Sequence, residues 1–175
     1  DGGKSDFFYN SVGQLRYSQN AQQYADDDFS YTKYDALGRI IEVGESNTVL
    51  EGAGLTASLG DMSYPSTTAW DVNRTFYNES LYTLPAGYFK TGQQDTVRNR
   101  VASAIYAKGN KGTAGMPLSS DITAASHYSY DIHGNVKELV QERNVLARTG
   151  TVVKQMAYDY DLLSGNVNEV NYQPG

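Results

Sequence analysis

The chain has 175 residues and a formal net charge of −6, which argues against a nucleic-acid surface because phosphate binding depends on Lys and Arg. It contains no Cys, which excludes disulfides and thiolate metal sites. No run of residues is long and apolar enough to span a bilayer, so we expect no membrane span in this segment. Tyr and Gly are frequent, with 15 and 17 copies, and their short alternating runs indicate an all-β chain.

Alternating runs separated by turn residues predict a series of antiparallel β-hairpins. The hairpins are expected at residues 5–19, 29–43, 70–107, 124–141 and 152–173. The connection at 20–28 ends in three Asp residues without the ligand spacing of an EF-hand, and it is interpreted as a solvated loop. Residues 44–69 are rich in Gly, Ser and Thr and are interpreted as a long irregular insertion. Residues 108–121 are interpreted as a further mobile connection.

One turn motif recurs in four of these hairpins. Its residues are Tyr9, Asn10 and Gly13; Tyr34, Asp35, Gly38 and Arg39; Tyr130, Asp131, Gly134 and Asn135; and Tyr160, Asp161, Gly165 and Asn166. Asp or Asn at the start of a turn accepts hydrogen bonds from backbone N–H groups further round it. Gly then adopts a left-handed conformation that is costly for other residues. The spacing therefore predicts a type I turn followed by a glycine bulge.

The motif, written Y-D-x-x-G-[RN]-[LIV], resembles the YD repeat of the RHS family, which includes bacterial polymorphic toxins, toxin-complex components and teneurins. The copies at 34–39 and 130–135 match it most closely. The first copy has Asn10 in place of Asp, and the last copy has one extra residue. The stretch at 98–106 also resembles a strand between repeats in RHS proteins of the Bacteroidetes type.

The resemblance implies that successive hairpins pair into a continuous curved sheet, forming part of a β-shell around a C-terminal toxin or other cargo. It implies a bacterial protein that is secreted or displayed on the cell surface. The implied partners are neighbouring repeats of a longer chain, the enclosed cargo and the secretion machinery. We therefore expect a non-enzymatic structural segment without cofactors, catalytic residues or metal ligands.

Particular residues also bear on three other kinds of site. A cell-surface module binding carbohydrate or protein is the main alternative, with Trp70 as a ligand platform. Alternation places Tyr128 with Tyr130, and Tyr158 with Tyr160, on the same side of their strands, and Trp70 and these paired tyrosines also suit the buried side of a sheet. A hydrolase would need facing carboxylates, whereas Asp35, Asp131 and Asp161 are expected to serve their own turns. His127 and His133 show no metal-ligand spacing and are interpreted as a strand residue and a solvated turn residue.

Overall fold

The structure is a computed structural model, and it describes residues 3–47, 52–66, 68–80, 83–109, 122–144 and 151–173. The described chain is nearly all β, with ten strands and two short helices. The strands are β1 (Asp6–Tyr9), β2 (Leu15–Gln19), β3 (Phe29–Tyr34), β4 (Ile40–Ser46), β5 (Trp70–Tyr77), β6 (Val101–Ala107), β7 (Ile122–Tyr130), β8 (Val136–Asn144), β9 (Thr151–Tyr160) and β10 (Val167–Tyr172). The helices are α1 (Ala21–Asp26) and α2 (Gly52–Gly60).

The strands follow chain order within one ten-stranded sheet, from β1 at one end to β10 at the other. Short turns join β1 to β2, β3 to β4, β7 to β8 and β9 to β10, and each of these pairs is antiparallel. This is the arrangement that tight reversals impose, because a short connection can only return the chain antiparallel to itself. The predicted fold class, an all-β chain of successive hairpins, is confirmed.

The structure differs from the sequence analysis in two connections. Helix α1 occupies most of the connection at 20–28, and Asn20 and Gln23 form a reciprocal capping box at its start. Helix α2 lies inside the insertion at 44–69, where its many Gly, Ser and Thr residues suggested irregular structure. Most of the predicted connection at 108–121 lies outside the described residues. Neither helix in the described ranges has the length and apolar character needed to cross a membrane.

The chain forms two compact units, Asp1–Arg74 with Tyr106–Ile122 and Thr75–Ile105 with Thr123–Gly175. The first unit has a core of Tyr17, Phe29, Tyr31, Ala69 and Val72, against which Leu55 and Leu59 of α2 pack. The buried apolar residues of the second unit are Phe89, Ala102, Ile105, Ala125 and Val140. Helix α2 therefore contributes apolar cover to the first unit, although its sequence reads as a loop.

Candidate functional site

The turn at Asp35 shows why the motif carries Asp and a following polar residue. Asp35 Oδ1 accepts hydrogen bonds from the backbone N of Leu37 and Arg39, both at 2.9 Å. Its Oδ2 accepts from the Arg39 guanidinium at 2.7 Å. One carboxylate thus satisfies the turn backbone with one oxygen and binds the residue after Gly38 with the other.

The turn at Asp131 repeats this geometry with an amide in place of the guanidinium. Asp131 Oδ1 accepts from the backbone N of His133, Gly134 and Asn135 at 2.9, 2.7 and 2.9 Å. Its Oδ2 accepts from Asn135 Nδ2 at 2.9 Å. Arg and Asn are therefore interchangeable after the glycine because either side chain donates to the same carboxylate oxygen.

The two divergent copies preserve these interactions in altered form. In the first, Asn10 Oδ1 accepts from Gln14 N at 2.8 Å, and Asn10 Nδ2 donates to Gln14 Oε1 at 2.8 Å. In the last, the extra residue Ser164 donates both its N and its Oγ to Asp161 Oδ1, at 2.6 and 2.8 Å. Asn166 instead donates its backbone N to Ser164 Oγ at 3.3 Å, so the insertion takes over part of the capping.

The four turn glycines have left-handed backbones, as the spacing predicts. Their φ angles are +80° at Gly13, +78° at Gly38, +99° at Gly134 and +71° at Gly165. Each glycine N donates to the carbonyl of the first turn residue, at distances from 2.9 to 3.2 Å. The strand register shifts beside every one of these turns, which is the signature of a bulge.

The turn carboxylates behave as hydrogen-bond acceptors in their own turns. Partial burial raises the pKa of Asp131, but hydrogen bonds from Asn135, Gly134 and His133 lower it by more, so the net pKa shift is downward. The pKa of Asp35 is likewise lowered on balance, because bonds from Arg39 and Leu37 outweigh desolvation. Within the described ranges, no three His, Cys, Asp or Glu side chains cluster in a way that would hold a metal.

The motif tyrosines make a second recurring interaction, which we call the tyrosine clasp. In each case the phenol hydroxyl donates to the backbone carbonyl of the first residue of the neighbouring, preceding strand. The three clasps run from Tyr34 to Leu15 O, from Tyr130 to Val101 O and from Tyr160 to Val136 O, each at 2.9 Å. The acceptors begin strands β2, β6 and β8. The clasp therefore ties each of these hairpins to the strand that precedes it in the sheet order.

Two of the clasp tyrosines also stack on a second tyrosine of the same strand. The ring centroids of Tyr130 and Tyr128 lie 6.4 Å apart with an interplanar angle of 25°. Those of Tyr160 and Tyr158 lie 6.4 Å apart with an interplanar angle of 28°. The predicted same-side placement of both pairs is confirmed. The Arg100 guanidinium lies 5.4 Å from the centre of the Tyr130 ring. Tyr9 of the first copy is 53% exposed.

A buried polar chain, defined here as the fully buried Ser103 and His127 with the half-buried Ser80, Glu142 and Tyr88, lies in the second unit. Ser80 Oγ lies 2.8 Å from Ser103 Oγ, and Ser103 Oγ lies 2.7 Å from His127 Nδ1. His127 Nε2 lies 2.9 Å from Glu142 Oε1. Burial lowers the pKa of His127, although Glu142 opposes this shift. Burial and the neighbouring Glu142 carboxylate raise the pKa of Tyr88 to about 12.

The hydrogen-bond directions in this chain follow from a neutral His127. The Glu142 carboxylate accepts from Nε2–H, so Nδ1 is the acceptor for the Ser103 hydroxyl, which in turn accepts from Ser80. Serine, histidine and carboxylate also form hydrolase triads, but there the serine contacts Nε2 and the acid Nδ1. Both Ser103 and His127 are fully buried, so a substrate has no route to the serine oxygen in this structure. The polar chain satisfies buried groups rather than exposing a nucleophile.

The first unit buries cations that the sequence analysis did not single out. Arg16 is fully buried, and its guanidinium donates to the carbonyls of Thr32, Leu59, Asp61 and Tyr64. Three of these acceptors belong to the insertion, so Arg16 attaches the insertion to β2. A sequence signal exists, because Arg16 lies between Leu15 and Tyr17 in β2. Its three acceptors in the insertion, however, lie more than 40 positions away.

Trp70 does not have the exposure required of a ligand platform. Its side chain is 4% exposed, and its indole N–H donates to Glu45 Oε2 at 2.9 Å. A stacking platform needs an accessible ring face, so the interpretation of Trp70 as a sugar-binding residue is not compatible with this structure. His133 lies in the turn after Asp131, with its side chain half exposed, whereas His127 is a buried strand residue.

The fold and the recurring turn together define a class: an ordered array of antiparallel hairpins with aspartate- or asparagine-capped glycine turns and tyrosine clasps. No protein-family model matches this sequence, and no curated protein matches it. The geometry of the turns and clasps is therefore the basis on which a function is assigned.

Proposed function

We propose that this chain is a structural, non-enzymatic segment of an RHS-type β-shell that encloses and shields a toxin or other cargo. The observation that carries the proposal is the tyrosine clasp, which recurs at Tyr34, Tyr130 and Tyr160 with the same 2.9 Å hydrogen bond. Each clasp is accompanied by an aspartate-capped turn with a left-handed glycine. A recurring set of interactions between successive hairpins is what an extendable wall requires.

The clasp supports a structural role because its hydrogen bonds link each hairpin to the preceding strand and do not form a binding or catalytic site. A partly buried tyrosine hydroxyl is stabilised by an acceptor, and here the acceptor is a backbone carbonyl of the preceding strand. The recurring carboxylates Asp35, Asp131 and Asp161 accept hydrogen bonds within their own turns. The partners of such a wall are neighbouring repeats of a longer chain and the enclosed cargo, delivered through the secretion machinery to the bacterial cell surface or beyond.

Protease protection in a longer chain tests this role. The protein would contain this segment and the residues that follow it in its gene, and digestion of the downstream region would be followed by mass spectrometry. We expect slow digestion in the unaltered protein and faster digestion when Tyr130→Phe and Tyr160→Phe remove two clasps. The matched control is Tyr128→Phe with Tyr158→Phe, which removes two hydroxyls from the same strands and leaves both clasps intact. Rapid digestion of the downstream region in the unaltered protein would contradict enclosure.

A second candidate, a module that binds another protein, rests on the apolar tips of the turns. The side chains there are exposed by 73% to 99%, and they are Val12, Leu37, Ile132, Leu162 and Leu163. This candidate predicts that Ile132→Ser with Leu163→Ser abolishes binding of the fluorescent chain to target cells while the melting temperature stays unchanged. Binding that survives both substitutions would remove the turn tips from consideration.

A further inference from the structure

A cavity of about 480 Å³ lies in the second unit, between the segment at residues 87–90 and strands β8 and β9. Its lining includes Tyr88, Phe89, Lys90, Glu138, Gln155 and Ala157. Gln155 Nε2 donates to the Gly87 carbonyl at 2.7 Å, which holds the segment over the strands. This volume is within the range of small-ligand sites in proteins. The cavity shares Tyr88 with the buried polar chain, and none of the four motif turns lines it.

Glu138 gives the cavity a specific chemistry. Its side chain is 5% exposed, and Oε1 accepts one long hydrogen bond, 3.3 Å, from the backbone N of Lys90. Its other oxygen, Oε2, is shut off from water and has no hydrogen-bond partner among the described residues. A buried carboxylate oxygen without a donor carries a large free-energy cost. This orphaned acceptor indicates a donor that the described chain does not supply.

Lys90 is an exposed residue of the lining, and its backbone N already donates to Glu138. The remaining surroundings favour a donor that is cationic and carries an alkyl stem. An ionised carboxylate only accepts hydrogen bonds, so it selects a positively charged donor and repels anions. The rings of Tyr88 and Phe89 line the cavity, and aromatic faces attract both alkyl chains and ammonium groups. The net charge of −6 also raises the local concentration of cations. A divalent metal is disfavoured because the described residues offer no cluster of three ligands.

We infer that this cavity binds a primary alkylammonium group, with Glu138 as its carboxylate partner. The terminal bond of Glu138 has a broad torsional profile, so its carboxylate can turn toward a ligand in the cavity. The same chemistry is offered by a lysine side chain of a polypeptide and by a free alkylamine. This inference is independent of the proposed role as a wall, since it concerns a cavity within one unit.

Amide NMR titration of the full 175-residue chain tests the inference. The probes are n-butylammonium chloride, N-acetyl-lysine N-methylamide and n-butanol, the last being the uncharged counterpart. We expect saturable shifts of the Lys90 amide with one or both ammonium probes and no saturable shift with n-butanol. Stronger binding of the lysine derivative would assign the site to a polypeptide lysine, and stronger binding of n-butylammonium to a free amine.

Matched variants identify the carboxylate. Glu138→Gln keeps the shape and removes the charge, and we expect affinity to fall at least about tenfold. Glu169→Gln removes the same charge from an exposed position of β10 and should leave affinity unchanged. Ala157→Val retains Glu138 and narrows the cavity, so it should also weaken binding of the ammonium probes. It provides the test if Glu138→Gln does not fold. The absence of saturable shifts with both ammonium probes, or equal weakening by Glu169→Gln, would overturn the inference.

Discussion

Replacement of Gly134 by Val is the sharpest test of the turn geometry. Gly134 has a φ of +99°, where a side chain is strained and a β-branched one most of all. A Cβ at this position would lie 2.7 Å from Arg100 Nη2, so the guanidinium would have to move. Arg100 is restrained by a 2.8 Å hydrogen bond to the Thr96 carbonyl and by its packing over Tyr130. Strain and displacement together should destabilise the protein by about 2–4 kcal/mol.

This loss should be visible in thermal unfolding followed by circular dichroism. A change of 1 kcal/mol corresponds to roughly 2–4 °C for a chain of this size, so Tm should fall by roughly 4–16 °C. Gly134→Ala and Gly165→Ala form a matched pair, because both glycines have positive φ but a Cβ at Gly165 would meet nothing within 4 Å. Gly134→Ala should therefore be the more damaging of the two. An unchanged Tm for Gly134→Val would refute the left-handed turn.

Three further predictions concern hydrogen bonds away from this turn. Tyr160→Phe removes one clasp and should cost about 1 kcal/mol in urea unfolding, whereas Tyr158→Phe should cost less, because that hydroxyl has only a long contact to sulfur. Folding lowers the pKa of His127 from its ordinary value of 6.5, so the neutral side chain contributes fully to the free energy of unfolding above pH 6.5. This contribution declines as pH falls toward the folded-state pKa. In unfolding experiments at several pH values, His133→Asn should preserve this dependence and His127→Asn should remove it. Arg16→Met should leave buried carbonyls without donors, lower stability by about 2–4 kcal/mol and speed tryptic cleavage, and an unchanged cleavage rate would contradict the anchoring role.

The turns were predictable because their chemistry is local. An acceptor at Asp131, a glycine at position 134 and a donor at Asn135 lie within five consecutive residues, so spacing alone reports the hydrogen bonds. The tyrosine periodicity was also predictable, since alternation places Tyr128 and Tyr130 on one face. The clasp itself was not anticipated. Its acceptors lie 19 to 29 positions earlier, at distances that vary from hairpin to hairpin.

The missed features depend on partners that are distant in sequence. Ser103 and His127 meet across neighbouring strands, 24 positions apart, and nothing in either local sequence identifies the other. Helix α2 was missed because its composition is typical of loops, whereas Leu55 and Leu59 gain stability by packing on the core of the first unit. For Trp70 the sequence allowed a ligand platform or a place on the buried side of the sheet, and its burial and its bond to Glu45 agree with the buried side.

The clasp also explains how a sheet of this kind keeps its register. A slip of one residue in a strand pairing moves every side chain to the opposite face, and hairpin turns control register only inside each hairpin. Between hairpins the chain runs through connections of unequal length, so another constraint is needed. The hydroxyl of Tyr160 reaches the carbonyl of Val136, the residue with which β8 begins, and a slipped strand would leave this donor and acceptor out of reach. The motif thus combines two controls: the glycine turn sets pairing within a hairpin, and the tyrosine sets pairing with the strand before it.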